Sequence, residues 1–144
     1  MAFANPDRDE IRKILEQTRT IAVVGLSDSP DRTSHMVAAA MKDRGYRIIP
    51  VNPMGGDTIL GEKRYSSLSE VPEPIDIVNV FRRSEFCGPV AEEAVSVGAK
   101  VLWLQQGIIN EEAAETAEAG GLKVIMDRCI KVEDAILRPA RPGQ

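Results

Sequence analysis

The chain has 144 residues and a net charge of −4, so it is long enough for one domain that buries about two-thirds of its unfolded surface, and we expect no second domain. Its Lys and Arg are scattered along an acidic chain, which argues against a nucleic-acid partner and leaves only a local anion pocket open. No apolar leader and no run of about 18 apolar residues is present, which predicts a soluble, cytoplasmic protein without a membrane segment.

The hydrophobic pattern alternates between short apolar runs and helical spacing. This alternation predicts an α/β fold, doubly wound, with a mainly parallel five-stranded sheet and helices on both faces. A helix at about 6–18 precedes the first strand, and a tail is expected at about 139–144. The five predicted strands are Ile21–Val24, Arg47–Val51, Ile75–Phe81, Lys100–Leu104 and Lys123–Met126.

Several residues mark the expected ends of the helices between these strands. Gly45 and Gly98 predict C-terminal ends, because glycine adopts the left-handed conformation at low energetic cost. Asn110 predicts an N-cap, and Gly120 or Gly121 the end of the same helix. Ser34 and Ser84 are interpreted as further N-caps. The segment from Asn52 to Pro74 is expected to be a loop with one short helix.

The end of the first strand has the composition of a phosphate site. Gly25 follows four apolar residues, and a polar turn then leads into a helix. Glycine lets a ligand approach the backbone closely, and the helix start offers free N–H groups to an anion. Ser27 and Pro30 stand where Gly-x-Gly-x-x-Gly has its later glycines, so only the first glycine of the dinucleotide fingerprint remains.

A doubly wound sheet places ligands outside the carboxyl ends of its strands, near the point where the strand order reverses. The residues that follow each strand are therefore the candidates for a binding site. They are Gly25, Ser27, Arg32, Thr33 and Ser34 after the first strand, Asn52 and Pro53 after the second, Phe81, Arg82 and Arg83 after the third, Gln105 and Gly107 after the fourth, and Arg128 and Cys129 after the fifth.

The second strand narrows the choice of ligand. An NAD site would have Asp or Glu at its end to bind the ribose hydroxyls, whereas this chain has Asn52 and Pro53. With Arg32 beside the first turn, the pocket suits a nucleotide with an extra phosphate, which describes both NADP and coenzyme A (CoA). A dehydrogenase also needs a catalytic acid or base and usually a substrate domain, so CoA is favoured and an NADP-type oxidoreductase is the alternative.

The chain also resembles a known family over about residues 11–137. The motifs that carry the resemblance are Ile21-Ala-Val-Val-Gly-Leu-Ser27, Pro30-x-Arg32-x-Ser34, Val51-Asn-Pro53, Leu60-Gly61, Tyr65-x-Ser-Leu68, Val80-Phe-Arg-Arg83, Val101-Leu-Trp-Leu-Gln105 and Asp127-Arg-Cys129. In order and spacing they are similar to the small stand-alone CoA-binding proteins and to the N-terminal domain of the succinyl-CoA synthetase alpha subunit. The resemblance implies a Rossmann-type fold that binds CoA.

The resemblance also implies roles for the candidate residues. It puts the CoA phosphates near Gly25, Ser27, Arg32 and Ser34, the adenine end near Asn52 and Pro53, the nucleotide beside Phe81 and Arg82, and the pantetheine towards Gln105 and Gly107. The synthetase has a lysine before its paired glycines where this chain has Pro53-Met54, and it uses a phosphorylated histidine from a second domain. Non-catalytic binding of CoA or acyl-CoA is therefore expected, with a CoA-binding subunit of a multi-chain ligase as a further alternative. No catalytic residue is assigned, and self-association or a protein partner stays open.

The two cysteines, the histidine and the tryptophan have different expected roles. Cys87 and Cys129 form no Cys-x-x-Cys pair, and one histidine does not complete a recognised metal site with them. Cys87 is interpreted as structural. Cys129 either packs as a small apolar residue or, favoured as a thiolate by Arg128, forms a mixed disulfide with CoA. His35 is interpreted as a surface or helix-start residue, and Trp103 as part of the core.

Overall fold

The computed structural model describes residues 3–141 and contains seven strands and five α-helices in that range. The strands are β1 Thr20–Val24, β2 Arg47–Val51, β3 Thr58–Ile59, β4 Glu62–Lys63, β5 Ile77–Val80, β6 Val101–Leu104 and β7 Lys123–Ile125. The helices are α1 Arg8–Gln17, α2 Thr33–Asp43, α3 Cys87–Ser96, α4 Glu111–Ala119 and α5 Ile130–Leu137. Two short 3₁₀ helices span Leu68–Glu70 and Ser84–Phe86.

The main sheet has five strands in the order β2-β1-β5-β6-β7, and every pair in it is parallel. The strand order reverses between β1 and β5, since the chain first adds β2 on one side and then continues on the other. A crevice is expected at this reversal, beyond the carboxyl ends of the two strands. The predicted Rossmann-like α/β class is confirmed.

Alternate side chains of the strands enter two separate cores. Ile21 and Val23 point to one face of the sheet, and Ala22 and Val24 to the other, as the period of two in a strand requires. The first face is covered by α1, α2 and α5, and the second by α3 and α4. Trp103 is fully buried in the first core, where its indole N–H donates to the carbonyl of Arg128 at 2.9 Å, so its core role is confirmed.

Most of the predicted element ends lie within one or two residues of the observed ones. Gly45 and Gly98 follow α2 and α3 with φ of 99° and 74°, and the Asn110 side chain caps α4 by accepting from the N–H of Ala113. Two cap predictions are wrong. Arg32 is the N-cap of α2, so Ser34 lies inside the helix, and the Ser84 hydroxyl accepts from the N–H of Ile109 rather than capping α3.

Two observed elements have no counterpart in the sequence prediction. The first is the β3–β4 hairpin, which lies within the segment expected to be a loop. The second is α5, which is held by Asp134: its carboxylate accepts from the Tyr46 hydroxyl and pairs with Arg44 at 3.2 Å. The predicted tail at 139–144 includes residues 142–144, which lie outside the described part. Within residues 3–141, no helix is both long and apolar enough to cross a membrane.

Candidate functional site

A cleft of about 410 Å³ lies at the point where the strand order reverses. Its lining combines the end of β1, the start of α2 and the end of β5. The residues that line it are Gly25, Ser27, Arg32, Thr33, Ser34 and Phe81. All six are among the residues that the sequence predicts for a binding site, and the fold brings them together from positions up to 56 residues apart.

Gly25 makes this cleft possible. Its φ is 89°, in the left-handed region that favours glycine, and its N–H donates to the carbonyl of Val51 at 2.8 Å. A Cβ at this position would stand 3.0 Å from the carbonyl oxygen of Phe81 and 3.3 Å from Cδ of Arg82. Any side chain would therefore be strained here and would crowd the backbone at the end of β5.

The start of α2 provides the polar groups of the cleft. The backbone N–H groups of Thr33, Ser34 and His35 make no hydrogen bond to another residue in the described range. Together with the helix dipole, such free N–H groups form a site suited to an anion. Arg32 and Thr33 are exposed beside them, so a guanidinium and a hydroxyl are accessible from solvent. These groups fit the phosphates of a nucleotide such as CoA.

The predicted residues at the end of β2 form a braced loop next to the cleft. The Asn52 side chain donates to the carbonyl of Leu26 at 3.0 Å and accepts from the N–H of Met54 at 2.9 Å. Its amide therefore joins this loop to the β1–α2 loop. Pro53 is exposed at the same place.

Two further residues, Asp28 and Arg64, complete this brace and were not predicted from the sequence. Asp28 accepts from the N–H of Gly56 at 3.1 Å. Arg64 follows the β3–β4 hairpin and donates to the carbonyls of Gly56 at 2.7 Å and Asn52 at 2.6 Å. The signal in the sequence was weak, because the contact depends on a hairpin with strands of two residues each.

Arg82 connects the cleft to an exposed aromatic ring. Its Cδ lies against Gly25, and its guanidinium carbon is 5.9 Å from the centroid of the Phe86 ring. This is a cation–π distance, and the Phe86 side chain is half exposed. Phe81 therefore lines the cleft on the β5 side and Arg82 lies beside it, whereas Arg83 is exposed to solvent.

The remaining predicted residues lie at the ends of β6 and β7 and do not line the cleft. Gln105 is buried, and its side-chain oxygen accepts from Asn79 Nδ2 at 3.4 Å and from the N–H of Ile130 at 3.3 Å. This oxygen thus links β5, β6 and α5, whereas the amide NH₂ of Gln105 makes no hydrogen bond to another residue in the described range. The N–H of Gly107 donates to the Asp127 carboxylate at 2.7 Å, so the sequence also missed a role for Asp127 in this loop.

Arg128 and Cys129 stand at the start of α5. The Arg128 guanidinium is exposed and donates to the carbonyl of Asp127 at 2.9 Å. Cys129 is a half-buried free thiol at the N-cap position of α5. The mixed disulfide between Cys129 and CoA stays a prediction.

Comparison with known proteins identifies the family. The model of the CoA-binding domain matches residues 19–135, which include every strand of the sheet and all but the last two residues of α5. The chain belongs to the CoA-binding domain family. The predicted resemblance is thereby confirmed.

Relatives of two kinds share this CoA-binding domain. The protein YneT of Bacillus subtilis is 58% identical over 134 residues, which cover 93% of this chain and 98% of YneT. A solved structure of a hypothetical protein from Pyrococcus horikoshii OT3 is 33% identical, with a TM-score of 0.88, over 96% of this chain and 99% of that chain. The alpha subunit of ADP-forming acetate–CoA ligase I from Pyrococcus furiosus is 27% identical over 128 residues. The match covers 85% of this chain but only 25% of the ligase subunit.

Proposed function

We propose that this protein binds coenzyme A or an acyl-CoA at the carboxyl edge of its sheet and does not transform it. The observation that carries the proposal is the cleft between Gly25 and Phe81, at the strand reversal of a CoA-binding domain. Free N–H groups and an exposed arginine at one side of this cleft suit a ligand that is rich in phosphate.

We assign the parts of CoA to the candidate residues as follows. The phosphates bind at the start of α2, through Gly25, Ser27, Arg32, Thr33 and Ser34. The adenine end lies near Asn52 and Pro53, and Phe81 and Arg82 flank the nucleotide. The pantetheine runs towards Gln105 and Gly107, and its thiol end lies towards Arg128 and Cys129. The braced loop after β2 supports this assignment, because a rigid loop loses little entropy when a ligand binds.

Isothermal titration with CoA, dephospho-CoA, NAD and NADP tests the proposal. CoA is expected to bind most tightly, and dephospho-CoA more weakly because it lacks the 3′-phosphate. Tighter binding of NADP than of CoA would overturn the proposal in favour of the oxidoreductase alternative. Absence of CoA binding would also overturn it.

Replacement of Arg32 by alanine tests the phosphate contact directly. A charge-assisted hydrogen bond to a phosphate contributes roughly 1–3 kcal/mol, so Arg32→Ala is expected to weaken CoA binding by about that amount. The binding of dephospho-CoA is expected to weaken less in this variant, because that ligand lacks the 3′-phosphate. Arg19→Ala is the control, since Arg19 is an exposed arginine at the opposite edge of the sheet. Equal affinity of the wild type for CoA and dephospho-CoA would contradict the contact.

A role as the CoA-binding subunit of a multi-chain ligase is a second candidate, favoured by the similarity to the acetate–CoA ligase subunit. Co-purification of a larger partner, with acyl-CoA formation by the complex and none by the isolated chain, would support it. Light scattering on the purified chain distinguishes a monomer from a homo-oligomer.

We propose a cytoplasmic location, which the two free cysteines support because disulfides are rare in that compartment.

A further inference from the structure

Two consecutive residues of α2 hold the backbone of Ser27, which lies in the β1–α2 loop. The hydroxyl of Ser34 accepts from the N–H of Ser27 at 3.0 Å. The imidazole of His35 contacts the carbonyl oxygen of the same Ser27 through Nδ1, at 2.9 Å. Ser34 is buried and His35 is half-buried. Both backbone groups of Ser27 are therefore fixed by side chains at the start of the helix, in an arrangement that we call the Ser27 clamp.

The carbonyl acceptor determines that Nδ1 of the His35 imidazole carries a proton in this clamp. A carbonyl oxygen accepts hydrogen bonds and has no proton to donate, so Nδ1 of His35 must carry the proton. His35 is the donor of the clamp, and Ser34 is the acceptor. The two contacts thus have opposite polarity and match the N–H and the C=O of Ser27, one on each side of its Cα.

The Ser27 clamp determines which groups of the loop a ligand can use. The N–H of Ser27 is occupied by Ser34 and cannot bind a phosphate at the same time. The Ser27 hydroxyl accepts from the N–H of Ser29 at 3.0 Å, which leaves its own proton available for an acceptor. The N–H groups of Thr33, Ser34 and His35 are the other donors at this place. Since the clamp joins the loop to the helix, these donors are held together before a ligand binds.

We propose that His35 is a positioning residue for ligand binding, which acts through Ser27 and does not contact the ligand itself. It holds the Ser27 hydroxyl beside the free N–H groups of α2, so that both converge on one anionic group. That group is a phosphate shared by CoA and dephospho-CoA, and not the 3′-phosphate that we assign to Arg32. The inference rests on the proposed function, because it concerns the same cleft.

Three substitutions at one position test this role. Asparagine carries its amide nitrogen at the same number of bonds from Cα as Nδ1 of histidine, and glutamine carries it one bond further out. His35→Asn is therefore expected to bind CoA as the wild type does. His35→Ala and His35→Gln are expected to bind about three- to tenfold more weakly, the range for loss of one neutral hydrogen bond.

The ligand series separates this role from a direct contact. Titration with CoA and dephospho-CoA is expected to show the same loss for both ligands in His35→Ala, so that the ratio of the two affinities stays at the wild-type value. Arg32→Ala is expected instead to bring the two affinities closer together. Circular dichroism and thermal unfolding establish that each variant is folded, and His35→Gln with His35→Asn gives the comparison if His35→Ala does not fold.

The outcomes distinguish this inference from the proposed function. If the wild type binds neither ligand, the proposed function is wrong and the inference falls with it. If the wild type binds CoA and His35→Ala and His35→Gln bind it equally well, the inference alone is wrong. A folded His35→Asn that binds as weakly as His35→Gln, or a loss confined to CoA, would also overturn it, because the ring or a direct contact would then matter instead of the Nδ1 donor.

Discussion

Cys87 and Cys129 have different environments although both are free thiols. Cys87 is fully buried in the core under α3, and its sulfur lies 3.5 Å from the carbonyl oxygen of Arg83. Burial raises the pKa of Cys87 to about 11, and the nearby charge of Arg82 offsets only part of that effect. Cys129 is partly accessible at the start of α5. The structural role predicted for Cys87 agrees with this burial.

Alkylation with iodoacetamide at pH 8 is expected to modify Cys129 first. With a pKa of about 11, only about one Cys87 side chain in a thousand is a thiolate at this pH, and the core shields it. Peptide mass spectrometry of native protein measures the two sites separately. Cys129→Ser is expected to remove the early modification, and urea is expected to expose both sites in the wild type. Faster modification of Cys87 in the folded protein would contradict this environment.

His35 shows how the role of a residue can be missed from the sequence alone. A single histidine beside a helix start has no partner that the sequence identifies, so a surface role is the natural interpretation. Its contact is the backbone carbonyl of Ser27, eight residues earlier, and a backbone acceptor leaves no signature in residue types. The N-cap role predicted for Ser34 from its place at the helix start is wrong, although its hydroxyl does accept from a backbone N–H, that of Ser27.

At the level of elements, the two helices on one face of the sheet pack closely through a glycine. Gly120 ends α4, and a Cβ at this position would stand 2.5 Å and 2.6 Å from the two methyl groups of Val95 on α3. Valine is stiff at χ1, so these methyl groups cannot move away easily. Glycine is needed here because it lets the end of α4 approach Val95 closely. Its φ of −85° is accessible to any residue, so backbone freedom is not the reason.

Gly120→Ala and Gly88→Ala form a matched pair for this packing. Gly120→Ala is expected to lower the free energy of unfolding by about 1–3 kcal/mol, because the new methyl group overpacks the contact with Val95. Gly88 lies in α3, and a Cβ added there would have no atom of the described residues within 4 Å beyond its own helix backbone and chain neighbours. Gly88→Ala is therefore expected to be neutral or to stabilise by up to about 1 kcal/mol. Urea unfolding followed by Trp103 fluorescence measures both. A larger loss for Gly88→Ala would contradict the packing.

The two elements missed by the sequence have identifiable causes. In α5 the inward positions are Ile130, Glu133, Asp134 and Leu137, so half of the buried face is acidic. Its exposed face carries Val132 and Ile136. Apolar residues therefore do not mark the buried face of this helix, and the sequence pattern does not predict it. The β3–β4 hairpin turns at Leu60 and Gly61, both with positive φ. Leucine is unusual there, and Lys42 on α2 donates to its carbonyl, a contact that sequence spacing does not reveal.

Across the whole molecule, the two edges of the sheet serve different purposes. The carboxyl edge holds the cleft, whereas the amino edge holds charged groups that fasten the strands. Asp76 accepts from the N–H groups of Arg19 at 2.9 Å and Thr20 at 3.0 Å and pairs with Lys100 at 3.3 Å. It thereby joins the starts of β1, β5 and β6. Burial alone would raise the pKa of Asp76, but the two backbone donors and Lys100 together lower it.

This lowered pKa predicts a dependence of stability on acid. A carboxylate with a pKa lower in the folded than in the unfolded state stabilises the fold above its unfolded value, near 3.8, and this contribution disappears as the pH falls through the folded value. Asp76→Asn is expected to reduce the free energy of unfolding at pH 7 by roughly 1–2 kcal/mol, since an amide retains only one acceptor oxygen. As the pH falls below 5, the variant is also expected to lose less stability than the wild type, because it has no carboxylate to protonate at this position.

Urea titrations at several pH values measure this effect. Asp9→Asn is the control, because Asp9 is an exposed carboxylate of α1 whose partners Arg12 and Lys13 are also exposed. It is expected to change the unfolding free energy little. Parallel acid profiles for Asp76→Asn and the wild type would show that Asp76 does not contribute through its ionised form.

The sequence by itself determined the α/β class, the five strands of the sheet and the strand ends where a ligand is expected, because burial imposes periods of 2 and 3.6 that are local in the chain. It also carried the family, since motifs keep their order and spacing. Only the tertiary structure decided that six candidate residues share one cleft while Gln105 serves partly to join β6 to α5. It alone revealed the Ser27 clamp and the brace formed by Arg64. These contacts join side chains to backbone groups of other segments. Because nearly all residues have the same backbone groups, residue types do not show which backbone group takes part in such a contact.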